Sequence, residues 1–352
     1  MAVRASPSGL LIAAATLIVL PAAAAGPLYT LENATTLPST NTGWDYVSLD
    51  AATGRLFMDR RVDGLTVFDI NEHSATAVEN SKGANGALLV PEFNRVYVAC
   101  TDGTVLVLDL ATLKPIERFK VDDGDLNAGF YEPTTKRVHM VVGSRPKTTT
   151  WITLDAATGK VLSRTEFASK KMDDPAVDGH GHIFAPTRDN NTILKLNAAD
   201  LKIEETWALG DCLQPVAVEF DHATDRLLIG CRSDKPVFIA VDVANNGKIV
   251  ATLPIGRGVD GLALDEDHHV IVTTNGVDAN MSVILQEAPD RYRPLGTITT
   301  RPMARVMAMD PKTKRVFTVA ADSTQPGPGP DGKLPPPIFH DNSYTVLTYA
   351  PH

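Results

Sequence analysis

The 352-residue chain carries 33 Lys and Arg against 42 Asp and Glu, a formal charge of −9 at pH 7. That balance excludes a bulk nucleic-acid binder, because neutralising phosphates takes a cationic surface, and it leaves room for a local basic patch. Hydrophobic residues at 43% and charged ones at 21% are an ordinary globular mixture, and three cysteines are too few for a disulfide scaffold.

The chain opens with "MAVRASPSGLLIAAATLIVLPAAAAG", in which Arg4 precedes an apolar core from Leu10 to Leu20 and small residues follow Pro21. This is the layout of a secretory signal peptide over residues 1–25, with cleavage expected after Ala24 or Ala25. The core is shorter than the roughly 20 residues that span a bilayer, and no Cys follows it to accept lipid. The expectation is export to the periplasm or the cell exterior. The mature chain should have no membrane span, form one domain over 26–352, and stay a monomer.

Beyond the leader, short alternating apolar runs recur with turns between them. Taking the residue before each second strand as a landmark gives Arg55, Arg95, Arg137, His182, Arg226, His269 and Arg315, at spacings of 40, 42, 45, 44, 43 and 46. A period in this range suits propeller blades. Runs such as "RVYVACTDGTVLVLDL" and "RLLIGCRSDKPVFIAVDV" alternate with period two and are rich in Val, Ile and Leu. Turn sequences such as "AATG", "PTTK" and "ANNG" separate the runs. The prediction is an all-β, seven-bladed β-propeller with blades near 44–80, 83–122, 125–168, 171–210, 212–256, 258–300 and 302–352. The last unit lacks a fourth strand, and the N-terminal piece "PLYTLENATTL" has the length to supply it, chiefly through residues 28–36. That pairing closes the ring and hides an edge. Cys212 and Cys231 flank one hairpin and form the candidate disulfide pair, leaving Cys100 as a buried thiol.

The segments "QPVAVEFDHATDRLLIGC", "VDGLALDEDHHVIVTTN" and "DGTVLVLDLATLKPIERFKV" resemble the YVTN repeat of YncE-like seven-bladed propellers. The resemblance covers nearly the whole mature chain, although the tetrapeptide YVTN does not occur: "VYVAC" and "VIVTTN" are its nearest forms. Such a repeat implies a blade and leaves the chemistry open.

Function on such a ring belongs to the loop face around the central opening. Counting five residues back from the acid that ends each inner strand, with the matching places in blades 2 and 4 where that acid is shifted or missing, predicts a polar ring of Asp45, Asn85, Asn127, Asp174, Gln214, Asp260 and Arg305. These side chains can serve as inter-blade hydrogen-bonding groups. They can also converge on a ligand, including a divalent cation such as Ca²⁺, which favours oxygen donors. A second set of loops on that face is cationic, with Arg60 and Arg61, Arg145 and Lys147, Arg188, and Arg232 with Lys235, while Arg257 lies nearby. Arginine forks suit carboxylates and phosphates, so the expected guest is an anionic small molecule, a glycan or a protein; neighbouring aspartates can pair with the same cations.

The segment from Asp322 to Ser343, dense in Pro and Gly, rises from this face and could cover the opening as a lid. His180, His182, His268 and His269 fall in turns on the opposite face, and no GxSxG elbow, HExxH helix or dinucleotide loop occurs. The chain therefore reads as an exported, non-enzymatic propeller without a resident cofactor that binds an anionic ligand or protein on its Arg-rich face. The alternative is a metal-assisted hydrolase or lyase, lactonase-like or streptogramin-lyase-like, with its site at the tunnel mouth.

Overall fold

The computed structural model describes Met1, residues 28–40 and residues 43–352. The predicted leader lies outside the described residues. Seven four-stranded antiparallel sheets form the blades of a β-propeller, and the only helical pieces among the described residues are two single-turn segments, Pro91–Phe93 and Val243–Asn245. The inner strands, in chain order, are Val47–Asp50, Ala84–Val90, Leu126–Glu132, Ala176–Val177, Pro215–Asp221, Val259–Asp265 and Met307–Met309. No described helix is long and apolar enough to cross a membrane.

The repeated acid-turn-basic pattern has a local cause. The acid that ends an inner strand folds back over the turn and accepts hydrogen bonds from the turn's hydroxyl and amide groups. Asp50 accepts from the Thr53 hydroxyl at 2.5 Å, Glu132 accepts from the amides and hydroxyls of Thr134 and Thr135, and Asp310 accepts from the Thr313 hydroxyl at 2.6 Å. The chain then needs one left-handed residue to re-enter the sheet. Gly54, Asn94, Lys136, Gly181, Asp225 and Lys314 supply it immediately before six of the landmarks. In blade 6 His269 itself is left-handed, with φ of 53° to 54° like its counterparts Lys136 and Asn94, so Val270 is the equivalent position there. Three of the landmark arginines then reach the next blade: Arg55 donates to the Ala111 carbonyl, Arg137 to the Ala199 carbonyl, and Arg226 to Asp290.

The hydrophobic core lies between blades. One cluster joins Trp44, Leu56, Met58 and Phe68 of blade 1 to Val306, Phe317, Val319 and Tyr344 of blade 7. The ring closes as the sequence predicts. Strand Tyr29–Leu37 pairs antiparallel with Tyr344–Pro351 as the outermost strand of blade 7, from Tyr29 opposite Pro351 to Leu37 opposite Tyr344. Arg315 grips Glu32 with both prongs, at 2.6 and 2.8 Å, across the same seam. Cys212 and Cys231 are joined by a disulfide with their Cα atoms 5.2 Å apart, and Cys100 is a buried free thiol whose pKa burial pushes up to about 11.

Candidate functional site

Each inner strand starts on the same face as the loops between second and third strands, so both sets of polar residues meet around the axis. There they enclose a cavity of about 1520 Å³. Of the predicted ring, Asp45, Asn127, Asp174, Gln214, Asp260 and Arg305 line it; Asn85 is fully buried just behind the wall.

The ring is a closed electrostatic circuit through all seven blades. Arg305 of blade 7 donates to Asp260 of blade 6 at 2.8 Å and to Asp45 of blade 1 at 3.4 Å, and also to the Trp44 carbonyl at 2.8 Å. Arg61 takes up the chain, pairing with Asp45 at 3.2 Å and donating to Asn85 Oδ1 of blade 2 at 3.0 Å. The Asn85 amide donates to the Leu126 and Asn127 carbonyls of blade 3, both at 3.1 Å. Asn127 in turn donates to the Tyr46 hydroxyl at 3.0 Å and to Asp173 of blade 4 at 3.3 Å. Arg188 bridges Asp173 and Gln214 of blade 5 at 3.4 Å each. The Gln214 carbonyl accepts the Arg232 amide at 2.9 Å, and the Arg232 guanidinium returns to Asp260 at 2.7 Å. Burial opposes the charge on Arg305, but Asp260 and Asp45 outweigh it and hold its pKa above the usual value.

Three predicted positions need correction. In blade 5 the acid that ends the inner strand and caps the turn is Asp221, not Glu219; it accepts the Ala223 amide at 3.0 Å and the Thr224 hydroxyl. Five residues back from Asp221 is Val216, so Gln214 stands two positions before the equivalent place. In blade 4 the circuit runs through Asp173. Asp174 stands beside it in the cavity wall with its buried Oδ1 lacking any partner. The count that selected Asp174 overlooked Asp178, which does cap its turn, accepting the His180 and His182 amides at 2.7 and 3.0 Å. Five residues back from Asp178 is Asp173, so the signal was present in the sequence. Arg60 is not on the rim at all. It turns into the blade 1–blade 7 seam, 4.5 Å over the Tyr344 ring, and donates to the Pro38 carbonyl, Thr66 and Asp63. Of the other rim cations, Arg188 is spent on the circuit and does not line the cavity, whereas Arg232 does. Arg145 pairs with Asp122 and Asp125, and Arg257 with Asp278.

Sequence reasoning did not single out Tyr46, Lys171 or Glu219, which also line the cavity. Lys171 pairs with Asp173 at 3.3 Å. Burial, reinforced by Asp173, Asp45 and Asp260, pushes the Asp174 carboxyl well above the usual carboxylate range. Glu219 is reached by water within the cavity but enclosed by protein. Desolvation, aided by the Glu266 carboxylate, pushes it up to about 7. The alternation of an inner strand marks which side chains face the axis, but not how dry the axis is.

Among the described residues no group of three or more His, Cys, Asp or Glu is placed to hold a metal ion. Asp45 and Asp260 instead share the guanidinium groups of Arg61, Arg232 and Arg305. The Asp322–Ser343 segment forms a short ribbon, Ser323–Thr324 against Ile338–Phe339, and none of its residues lines the cavity. Its Phe339 packs 4.8 Å from the Trp44 ring, so the segment buttresses the blade 1–blade 7 seam and leaves the opening uncovered. The turn histidines stay apart from the cavity, with His182 bonded to Asp178 and His268 to Asp265.

No known protein family matches the chain, and no curated protein matches its sequence. Solved structures do match its fold. A chain of the mitotic checkpoint complex crystal structure aligns at a TM-score of 0.70 and 13% identity, over 94% of this chain and 99% of that one. Kuenenia stuttgartiensis hydrazine synthase aligns at 0.66 and 12% identity, over 80% of this chain and 94% of that one. At such identities the likeness is one of fold: a seven-bladed, WD40-like β-propeller.

Proposed function

We propose that this protein is an exported, YncE-like propeller that performs no catalysis and binds an anionic ligand at the collar of its axial cavity. One observation carries the reading. Lys235 lines the cavity beside Arg232 and is, among the described residues, a cation without a carboxylate partner. Two carboxyls of the same cavity, Asp174 and Glu219, are shifted toward their neutral forms by desolvation, while Asp211 and Asp234 also line it and neither pairs with Lys235. A closed circuit of hydrogen bonds and ion pairs, running through guanidinium, carboxylate and amide groups behind the collar, keeps the site rigid before the ligand arrives, which lowers the cost of binding. Export is supported by the leader-like N-terminus and by the Cys212–Cys231 disulfide, a bond that persists in oxidising compartments. A protein partner presenting acidic side chains is the macromolecular form of the same chemistry.

The test is titration calorimetry with citrate and inorganic phosphate at low and physiological salt. Citrate should bind, weaken as salt rises, and bind several-fold more weakly to Lys235→Ala. Absence of heat with both anions overturns the reading. So does Ca²⁺-dependent turnover of an ester or lactone that disappears in Asp260→Asn, the result that the hydrolase or lyase alternative requires.

A further inference from the structure

Below its collar the axial cavity changes character. Leu49, Leu88, Leu89, Val218, Leu262 and Met307 line its wall, and each is only partly buried. They come from the inner strands of blades 1, 2, 5, 6 and 7 and follow the ring residues, which stand in or just before those strands, by two to four positions. At a rise of about 3.3 Å per residue they therefore sit about 7–13 Å deeper than the collar. Apolar side chains that line one shared hollow and are left accessible to its water mark a place where an apolar guest displaces that water favourably. The cavity also exceeds the roughly 300–1,000 Å³ of ordinary small-molecule sites, which leaves length for a chain as well as a head.

The geometry points to a single-chain amphiphilic anion as the guest, with a carboxylate or phosphate head at Lys235 and Arg232 and an unbranched hydrocarbon tail along the Leu49–Met307 wall. This rests on the anion-binding reading above and narrows it to a ligand class. Two features of the wall fit it. Glu219, next to Val218 on that wall, is raised by desolvation to about 7, so at neutral pH it carries less charge than an ordinary carboxylate. The Pro-rich ribbon leaves the opening clear, so a chain can enter lengthwise.

The experiment is calorimetry on the full chain with octanoate and decanoate below their micellar concentrations. Acetate and octan-1-ol serve as head-only and tail-only probes, and citrate as the test of the anion site itself. Burial of each added methylene should tighten binding about fourfold, so decanoate should bind about fifteenfold more tightly than octanoate. Acetate and octan-1-ol should each bind at least tenfold more weakly than octanoate. Lys235→Ala should weaken decanoate and leave octan-1-ol unchanged. Leu262→Asn should flatten the chain-length dependence, and the octanoate–decanoate comparison in the parent chain stands without it should that variant fail to fold. Citrate binding with no gain from octanoate to decanoate overturns the amphiphile and leaves the anion site standing. Octan-1-ol binding as tightly as octanoate overturns the amphiphile from the other side. Failure of citrate and both fatty acids overturns the anion site and the amphiphile together.

Discussion

Replacing Asp59 with Asn should stabilise this protein increasingly as pH rises. The Asp59 side chain is fully buried between blades 1 and 2; one oxygen accepts the Ala87 amide at 2.8 Å and the other has no partner. Desolvation, against that one hydrogen bond and with help from Asp45, pushes its pKa from 3.8 to about 8. The folded chain therefore keeps a proton on Asp59 that the unfolded chain releases above pH 4. A raised carboxyl of this kind contributes stability that is fully present below pH 3.8 and is lost as pH climbs toward 8. At about 1.4 kcal/mol per pH unit, the loss by pH 7 is on the order of 4 kcal/mol. Asn places an uncharged amide in the same space, keeps the acceptor for Ala87, and removes the titration. Urea unfolding of parent and Asp59→Asn at pH 5, 6, 7 and 8 should show the variant gaining on the parent by about 1.4 kcal/mol per unit up to pH 7 and by less from pH 7 to 8. A difference that stays constant with pH, or a variant less stable than the parent at pH 8, would refute the assignment of a neutral buried carboxyl.

Three further outcomes test the collar and the closure. Arg305→Met removes the guanidinium that joins Asp260 to Asp45 and leaves each carboxylate with one arginine, Arg232 and Arg61 respectively, which should cost about 1–3 kcal/mol in chemical unfolding; a loss below about 0.5 kcal/mol sinks the closed circuit as a structural element. Cys231→Ser opens a cross-link over a sequence separation of 19 and should cost about 3 kcal/mol, seen as a lowered Tm that reducing agent does not lower further. Removing residues 28–37 strips the outer strand of blade 7 and bares the Tyr344–Pro351 edge, so the shortened chain should aggregate under conditions where the parent stays monodisperse in light scattering.

The chain's own pattern determined a great deal. Alternation with period two, a repeat near 40 to 46 residues and an acid placed over six of the seven turns depend on local geometry, so they are legible without coordinates. The same local logic, followed to Asp178, points to Asp173, and the miss came from an incomplete count. The orphaned N-terminal strand also had one place that would satisfy both loose ends, and it is there. What the folded ring alone decided is the state of each polar group. Arg60 and Arg61 are adjacent in sequence, yet one stacks on Tyr344 in the seam and the other joins the collar, because the chain turns sharply at Arg61, whose backbone is left-handed with φ of 46°. Whether a cation is spent on a neighbour or left at the cavity, as Arg188 and Lys235 are, depends on residues some twenty or more positions away that meet only when the seven blades close. The shifts at Asp59, Asp174 and Glu219 have the same origin: burial is a property of the assembled ring, and desolvation acts on a carboxyl only once the other blades have excluded the water around it.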